Sequence, residues 1–549
     1  MRASMDNSSG EDDELWTRQT SGTGGGPYKS PALRTQAHSE LRPKGAMRTP
    51  LPKFQLFLVM LIQVAEPITG LVIYPFINQF IRDTGVTKGD DRKVGYYAGI
   101  IESAFFFTEA LTVFQWGWLS DRIGRKPVLL LGPLGLMCAM FKFGYSTSFW
   151  PLVWSRCLQG AFNGNIGVSK TVVIELTDET NIGDAVAMIP LMWSFGSTIA
   201  PFMGGILSNP AKRWPESFGK FSLFTDHPYF LPCFAAGCIA LLAFVVTFLG
   251  LKETHPTVLA RESSRNPKAK QFIYDSEGNV NGSTETLLGQ NNPVVYGSTD
   301  STRCPSIVSD YAIIGELDAI PQEPPDPNTP TLLSALKSRT LQLTIVNFAF
   351  LAFSEMCFSA LMPLMYSTSI EYGGLGLNPY EIGVIMGIWG FLNVFVQMTV
   401  LGSVIRRFGA SRVYQFSYSA FFIVFLTFPF SAYMARRQGG MGAGVYASIF
   451  IQLTFQFFIP MGFGSIHVVI AETTPKPVLG SINGIAQMVG SMMRTIAPTF
   501  ASSLFSMSLE ERLPLGRNFV YGVILVLVAA GIACSLTLPE RKNRLSSAS

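Results

Sequence analysis

Charge is scarce in this chain. Only 14% of its 549 residues are Asp, Glu, Lys or Arg, against about 25% in soluble globular proteins. One buried core does not account for so large a deficit, which excludes a soluble multidomain enzyme and a disordered chain. Four histidines and seven cysteines are present, and their spacing matches no structural metal site. No metal and no other cofactor are expected. Cys138, Cys157, Cys233, Cys238, Cys357 and Cys534 fall in or beside apolar stretches, and only Cys304 falls in a polar one. That placing suits small buried hydrophobes rather than a disulfide framework. A Gly-rich phosphate loop of the ATPase type is missing, as is the short apolar segment of a cleavable signal in the first 50 residues. The net charge of +4 is too small for this length to point to a nucleic-acid partner.

What the chain has in abundance is apolar sequence. Hydrophobic residues make up 48%, Phe alone occurs 43 times, and the mean hydropathy is +0.30. These residues come in blocks long enough to cross a bilayer, which takes about 20 residues each. Six blocks lie near 54–79, 96–117, 127–146, 149–174, 184–208 and 228–250. Six more lie near 340–367, 380–404, 413–434, 443–470, 479–507 and 518–537. The expected fold is an all-α membrane protein of twelve transmembrane helices in two six-helix halves, 54–251 and 339–538. A polar tail over 1–53, a polar central loop over 252–338 and a short tail over 539–549 are expected to be cytosolic, the first two largely disordered.

Orientation follows from the basic residues beside the spans. Arg34, Arg42, Lys44, Arg48 and Lys53 precede span 1. Arg122, Arg125 and Lys126 follow span 2, Arg406, Arg407 and Arg412 follow span 8, and Arg541, Lys542 and Arg544 follow span 12. An even span count puts all of them, and both termini, in the cytosol. Lys212, Arg213, Lys220, Arg436 and Arg437 fall on the other side. The glycosylation sequons at Asn7 and Asn281 then lie on the cytosolic side, unused.

The halves repeat each other. Gly117-Trp-Leu-Ser-Asp-Arg-Ile-Gly-Arg after span 2 aligns with Gly402-Ser-Val-Ile-Arg-Arg-Phe-Gly-Ala after span 8. Thr198-Ile-Ala-Pro201 in span 5 returns as Thr495-Ile-Ala-Pro498 in span 11. Both pairs link span n to span n+6, the pattern of a duplicated six-helix unit.

The loop Gly117-Trp-Leu-Ser-Asp121-Arg122-Ile-Gly124-Arg125-Lys126-Pro127 resembles the signature between helices 2 and 3 of the major facilitator superfamily. On physical grounds, its glycines permit a tight turn and close helix approach, its basic residues hold the loop in the cytosol, and Asp121 suits a helix N-terminus. The resemblance implies that Asp121 docks onto the start of span 11, near Gly480-Ser481, and braces the outward-facing state. Arg406 stands at the aspartate position of the second copy, which implies that the docking role is lost there. In span 4, Arg156-Cys-Leu-Gln159-Gly160 is similar to the family's second motif, associated with proton coupling; the plainer reading is a snorkelling arginine. In span 5, Gly196-Ser-Thr-Ile-Ala200-Pro201-Phe-Met-Gly204-Gly205 resembles the antiporter motif of drug/proton exchangers, with Ala200 in place of a usual glycine; the plainer reading is a Gly- and Pro-rich helix interface. Gln63-Val-Ala-Glu66-Pro67 and Gly95-Tyr-Tyr-Ala-Gly99 look most like the zinc-induced-facilitator-like and tetracycline-resistance-like group. The resemblance covers about 54–540.

Ionisable residues within spans are functional candidates by default. Glu66, Arg156, Glu102 and Glu109 are the expected proton-coupling residues, Glu66 foremost. A carboxylate in a partly dry cavity can load and release protons near neutral pH. Gln63, Gln159, Asn163, Glu355 and Arg494 are the expected substrate-cavity residues, with Gln63 on the same helix face as Glu66. His467 in span 10 reads as a locally bonded residue. Phe105, Phe106, Phe107, Phe455, Phe457 and Phe458 suit a hydrophobic drug pocket or ordinary helix packing.

The expected function is proton-coupled export of a small organic molecule by alternating access, with the lipid bilayer, protons and substrate as partners. The protein is expected to act as a monomer in the plasma or vacuolar membrane. The alternatives are a facilitator or symporter of the same fold for a nutrient or metal chelate, and a non-transporting membrane sensor.

Overall fold

The computed structural model describes residues 49–177, 181–255, 258, 332–475, 478–510 and 513–539. Most of the expected N-terminal tail and central loop, and the C-terminal tail from 540, lie outside these residues. The described helices belong to one compact unit beginning at Pro50.

Twelve spans run in alternating directions. In the first half they are Lys53–Leu71 continued by Ile77–Asp83, Val94–Ile123, Arg125–Tyr145, Phe149–Asn163 continued by Ile166–Glu175, Ile182–Leu207, and Phe230–Gly250. In the second half they are Arg339–Ser367, Pro379–Phe408, Ala410–Gln438, Ala443–Gln456 continued by Ile459–Thr473, Leu479–Leu509, and Phe519–Ser535. Among the described residues, nine helices are long and apolar enough to cross a membrane by length and composition alone. Spans 4, 5 and 11 complete the set. Span 4 is broken at Gly164-Asn165, and spans 5 and 11 carry the Gly, Ser, Thr and Pro residues that form the contact between the halves.

Local chemistry explains the breaks and starts. Pro75 lacks a donor and disfavours helix at the residue before it, so span 1 turns over 72–76 before resuming at Ile77. Span 10 breaks at Phe457-Phe458, and its second helix restarts with Pro460 in the first turn, where a missing donor costs nothing. Span 8 opens with a capping box: Asn378 Oδ1 accepts from Glu381 N at 3.0 Å, and Glu381 Oε2 accepts from Asn378 N at 2.9 Å. Two such acceptors satisfy helix-end donors that otherwise lack partners.

The halves meet along two matching seams. In one, a Cβ at Gly383 of span 8 would lie 2.6 Å from Gly205 Cα and from Pro201 O of span 5. In the other, a Cβ at Gly99 of span 2 would lie 2.9 Å from Thr499 Cα and 3.1 Å from Pro498 O of span 11. The repeated Thr-Ile-Ala-Pro segments thus occupy equivalent places. Only glycine lets two helix backbones approach so closely. Thr499 Oγ1 is 2.8 Å from Ser103 Oγ and donates to Gly99 O at 3.1 Å, and Arg82 Nη2 donates to Ser367 O at 3.0 Å.

These contacts lie toward the side away from the chain termini, here called the far side. The opposite, tail side is open along the same helix faces. Gly117 is 117 − 99 = 18 residues beyond Gly99, and Gly484 is 502 − 484 = 18 before Ser502. Eighteen residues make about five turns and return to one face. A Cβ at either Gly117 or Gly484 meets nothing within 4 Å. Between spans 2 and 11 the halves are therefore closed at the far side and open at Gly117 and Gly484 on the tail side, and this opening is the wedge.

Candidate functional site

The wedge is lined at mid-depth by charged residues from both halves. Glu66 of span 1 is buried. Its Oε1 accepts from Asn163 Nδ2 of span 4 at 2.9 Å, and the same Nδ2 donates to Glu109 Oε1 of span 2 at 3.2 Å. One amide thus bridges two carboxylates. Glu66 Oε2 and Gln63 Nε2 have no protein partner.

From the second half, Arg494 of span 11 lies within electrostatic range of Glu66, Glu109 and Glu355, and also of Lys170 and His467. Glu355 of span 7 accepts from Ser359 Oγ at 3.2 Å. Lys170 and His467 are solvent-exposed, and Glu109, Glu355 and Arg494 are half-buried. Exposed groups from opposite halves that still sense one another share a water-accessible space rather than facing lipid. His467 also lies against the Phe348 ring, 5.4 Å between centroids.

A second cluster is fully buried. Arg156 is fully buried, not snorkelling. Its Nη1 donates to Gln159 Oε1 at 2.5 Å and to Gly70 O at 3.4 Å, and its guanidinium lies over Phe105, 4.6 Å from the ring centroid. Gln159 Nε2 donates to Thr69 O at 2.6 Å. Glu102 and Tyr74 are buried and in electrostatic range of Arg156. The expected proton-coupling residues therefore fall into two groups. Glu66 and Glu109 line the wedge with Asn163, while Arg156 and Glu102 brace span 4 against spans 1 and 2. Of the six phenylalanines, Phe105 is covered by Arg156, Phe107 is exposed, and Phe457 stacks on Trp389.

Gly196 and Gly204 of the span 5 motif pack on span 1: a Cβ at each would lie 2.3 Å from Pro67 Cγ and 2.0 Å from Val72 O. Gly205 and the Pro201 carbonyl face span 8 instead. The motif is thus wedged between its own half and the other one.

At the tail side, the signature loop turns at Gly124, whose φ of +103° favours glycine. A Cβ there would strike Glu253 Oε2 at 2.5 Å. Asp121 is not at a helix N-terminus, because span 2 runs to Ile123 and stops only at Gly124. Its Oδ1 accepts from Arg125 Nη1 at 2.5 Å. The anion at the start of span 3 is Glu253, which accepts from Arg125 N at 2.8 Å and Lys126 N at 3.1 Å. Arg125 also pairs with Glu175 at 3.0 Å, and Arg122 lies 3.8 Å over Trp118. Gly117 sits inside span 2 with open space rather than in the turn. The side chains of Gly480, Ser481 and Arg406 lie outside the described residues. Glu253→Ala removes the partner of four backbone donors, Arg125 N, Lys126 N, Thr254 N and His255 N, and a charge favoured by the helix dipole. It is expected to lower stability by about 1–2 kcal/mol, read as a lower midpoint in thermal unfolding of the detergent-purified protein.

Sequence reasoning missed Lys170, though a lysine within a span is the same signal that singled out Glu66. It also missed Tyr74, which sits in the break of span 1, and the glycines of span 8. Gly383, Gly387 and Gly390 recur at helical spacing, and that small-residue stripe was the available sign. Among the described residues, no group of His, Cys, Asp or Glu is arranged to hold a metal ion.

Residues 59–498 match the family model described as Major Facilitator Superfamily. The chain is 31% identical over 505 residues to "Major facilitator-type transporter psiT2" of Psilocybe cyanescens, covering 90% of this chain and 92% of that protein. It is 29% identical to "Major facilitator superfamily multidrug transporter mfsB" of Aspergillus fumigatus (95% and 88% covered), and 26% identical to "Protein ZINC INDUCED FACILITATOR 1" of Arabidopsis thaliana (89% and 92% covered). Among solved structures, a D-xylose-proton symporter superposes with a TM-score of 0.61 at 14% identity, covering 89% of this chain and 99% of that one. At that identity the likeness concerns the fold alone.

Proposed function

The chain belongs to the major facilitator superfamily and is an integral membrane transporter of small molecules, and from this we propose that it exports a small organic molecule from the cytosol in exchange for protons. The carrying observation is the Glu66–Asn163–Glu109 bridge at the wedge. Two carboxylates sharing one donor repel each other when both are ionised, and a proton or a cationic substrate group relieves that repulsion. Binding one thus releases the other, which is the exchange an antiporter requires. Lys53, the basic signature loop and the chain termini lie on the cytosolic side in this reading, so the wedge opens inward. Rocking of the halves closes the tail side and parts the glycine seams of the far side. The multidrug transporter among the relatives supports transport of organic molecules.

Proteoliposomes loaded with a pH-sensitive dye test the reading. Adding small organic amines, acids and amino acids in turn is expected to move protons against at least one of them, and an imposed pH gradient is expected to speed that compound's flux. Equal flux with and without the gradient refutes proton coupling.

A further inference from the structure

We propose that the wedge takes an amphoteric substrate: a small organic molecule with an ammonium group at the Glu66–Glu109 pair and an oxyanion, carboxylate or phosphate, at Arg494 and Lys170. This rests on the transport reading above and names the substrate class of that same site.

Two buried polar atoms at the site lack partners. Glu66 and Gln63 are only 9% and 5% exposed, yet Glu66 Oε2 and Gln63 Nε2 bond to nothing in the protein. Buried polar atoms normally have partners; Glu66 belongs to the Asn163 bridge, and Gln63 lies one turn before it on the same face of span 1. One is an acceptor and the other a donor, each free to bond a polar group. A substrate ammonium supplies the donors that Glu66 and Glu109 accept.

The opposing charges carry the second half of the inference. Arg494 and Lys170 come from different halves and lie within electrostatic range of each other. Among the described residues neither makes an ion pair. Two cations facing across a shared cavity repel unless an anion lies between them. A guanidinium fork suits a carboxylate or phosphate, which it binds with two parallel hydrogen bonds. A cationic substrate takes up the carboxylates that lie in range of Arg494 and Lys170 and leaves Glu355 as the remaining anion beside Arg494, and an anionic one leaves the carboxylate pair opposed. A molecule bearing both signs gives each set a partner.

The test uses the full-length protein and matched compounds. Each set shares one carbon skeleton, aromatic or aliphatic, and contains an amino acid, the amine lacking the acid, and the acid lacking the amine. A phosphate monoester of the corresponding amino alcohol separates the two oxyanions. Thermal unfolding midpoints are measured against concentration. In at least one set, the amphoteric member is expected to stabilise at about tenfold lower concentration than either single-charge relative, as a charge-assisted bond implies. In Arg494→Gln and in Lys170→Gln that advantage is expected to shrink to about threefold or less. Plain amines that stabilise as well as amphoteric members in every set overturn the proposal, as does the absence of stabilisation by any compound. Flux of the best ligand in proteoliposomes separates the two readings. An amphoteric ligand whose flux ignores a pH gradient removes proton coupling and leaves this proposal standing. Gradient-driven flux of plain amines, with no amphoteric preference, does the reverse.

Discussion

Glu66→Gln is expected to abolish gradient-driven accumulation, by on the order of 100-fold, while downhill exchange of the same compound continues. Gln keeps the size of Glu and a carbonyl that accepts from Asn163, so the bridge from span 1 to span 4 survives. What it loses is an ionisable oxygen. A group that carries a proton through a transport cycle has to take it up and give it back, and the loss of a positioned acid–base group typically costs 10²–10⁴-fold. Buried Glu66 has the unpartnered oxygen, whereas Glu109 is half-buried. Glu109→Gln is therefore expected to weaken coupling less. Accumulation under an imposed pH gradient is compared with counterflow at equal pH in the same proteoliposomes. A Glu66→Gln protein that retains its gradient dependence removes Glu66 from the proton path.

Gly205→Val is expected to reduce transport at least about tenfold by preventing closure of the far side. Even a Cβ at this position would lie 2.7 Å from Gly383 Cα and 2.7 Å from Pro379 O. Those are backbone atoms, so no side-chain rotation relieves the contact, and valine adds two more carbons. Overpacking of this kind costs about 1–3 kcal/mol, enough to move an equilibrium between two states by roughly tenfold or more. Amide hydrogen exchange over 379–390 and 94–103 is expected to rise as the seams part. Gly117→Val serves as the comparison, since its side chain enters open space in this state; it is expected to leave exchange over both segments unchanged. Unaltered exchange in Gly205→Val refutes the seam as the far-side closure.

The two substitutions also mark where sequence reading succeeded and where it stopped. Glu66 and Gln63 were legible because an ionisable residue in a hydrocarbon span is costly and stands out, and helical spacing puts the two on one face. Thr198-Ile-Ala-Pro201 and its repeat were legible as a duplication, but not as the two seams, because a repeat says nothing about which helix the carbonyl of Pro201 or Pro498 meets. Arg156 stood out for the same reason as Glu66, yet only packing showed that it lies buried on Phe105 and bonded to Gln159, apart from the wedge. Glu253 gave no sign at all. It follows span 6 in a polar stretch, and its bond to the start of span 3 spans 128 residues of chain.

Composition and hydropathy patterning suffice to settle the class of molecule. Blocks of about 20 apolar residues have few alternatives to crossing a bilayer as helices, since every backbone polar group there must be bonded within its own segment. The repeated segments give the duplicated halves, and the loop at 117–127 gives the superfamily. The tertiary structure alone decided which charges meet. Glu66, Glu109, Lys170 and Arg494 come from spans 1, 2, 4 and 11, and their shared cavity depends on how close the helices approach, which the glycines of spans 2, 5 and 8 control by what they lack.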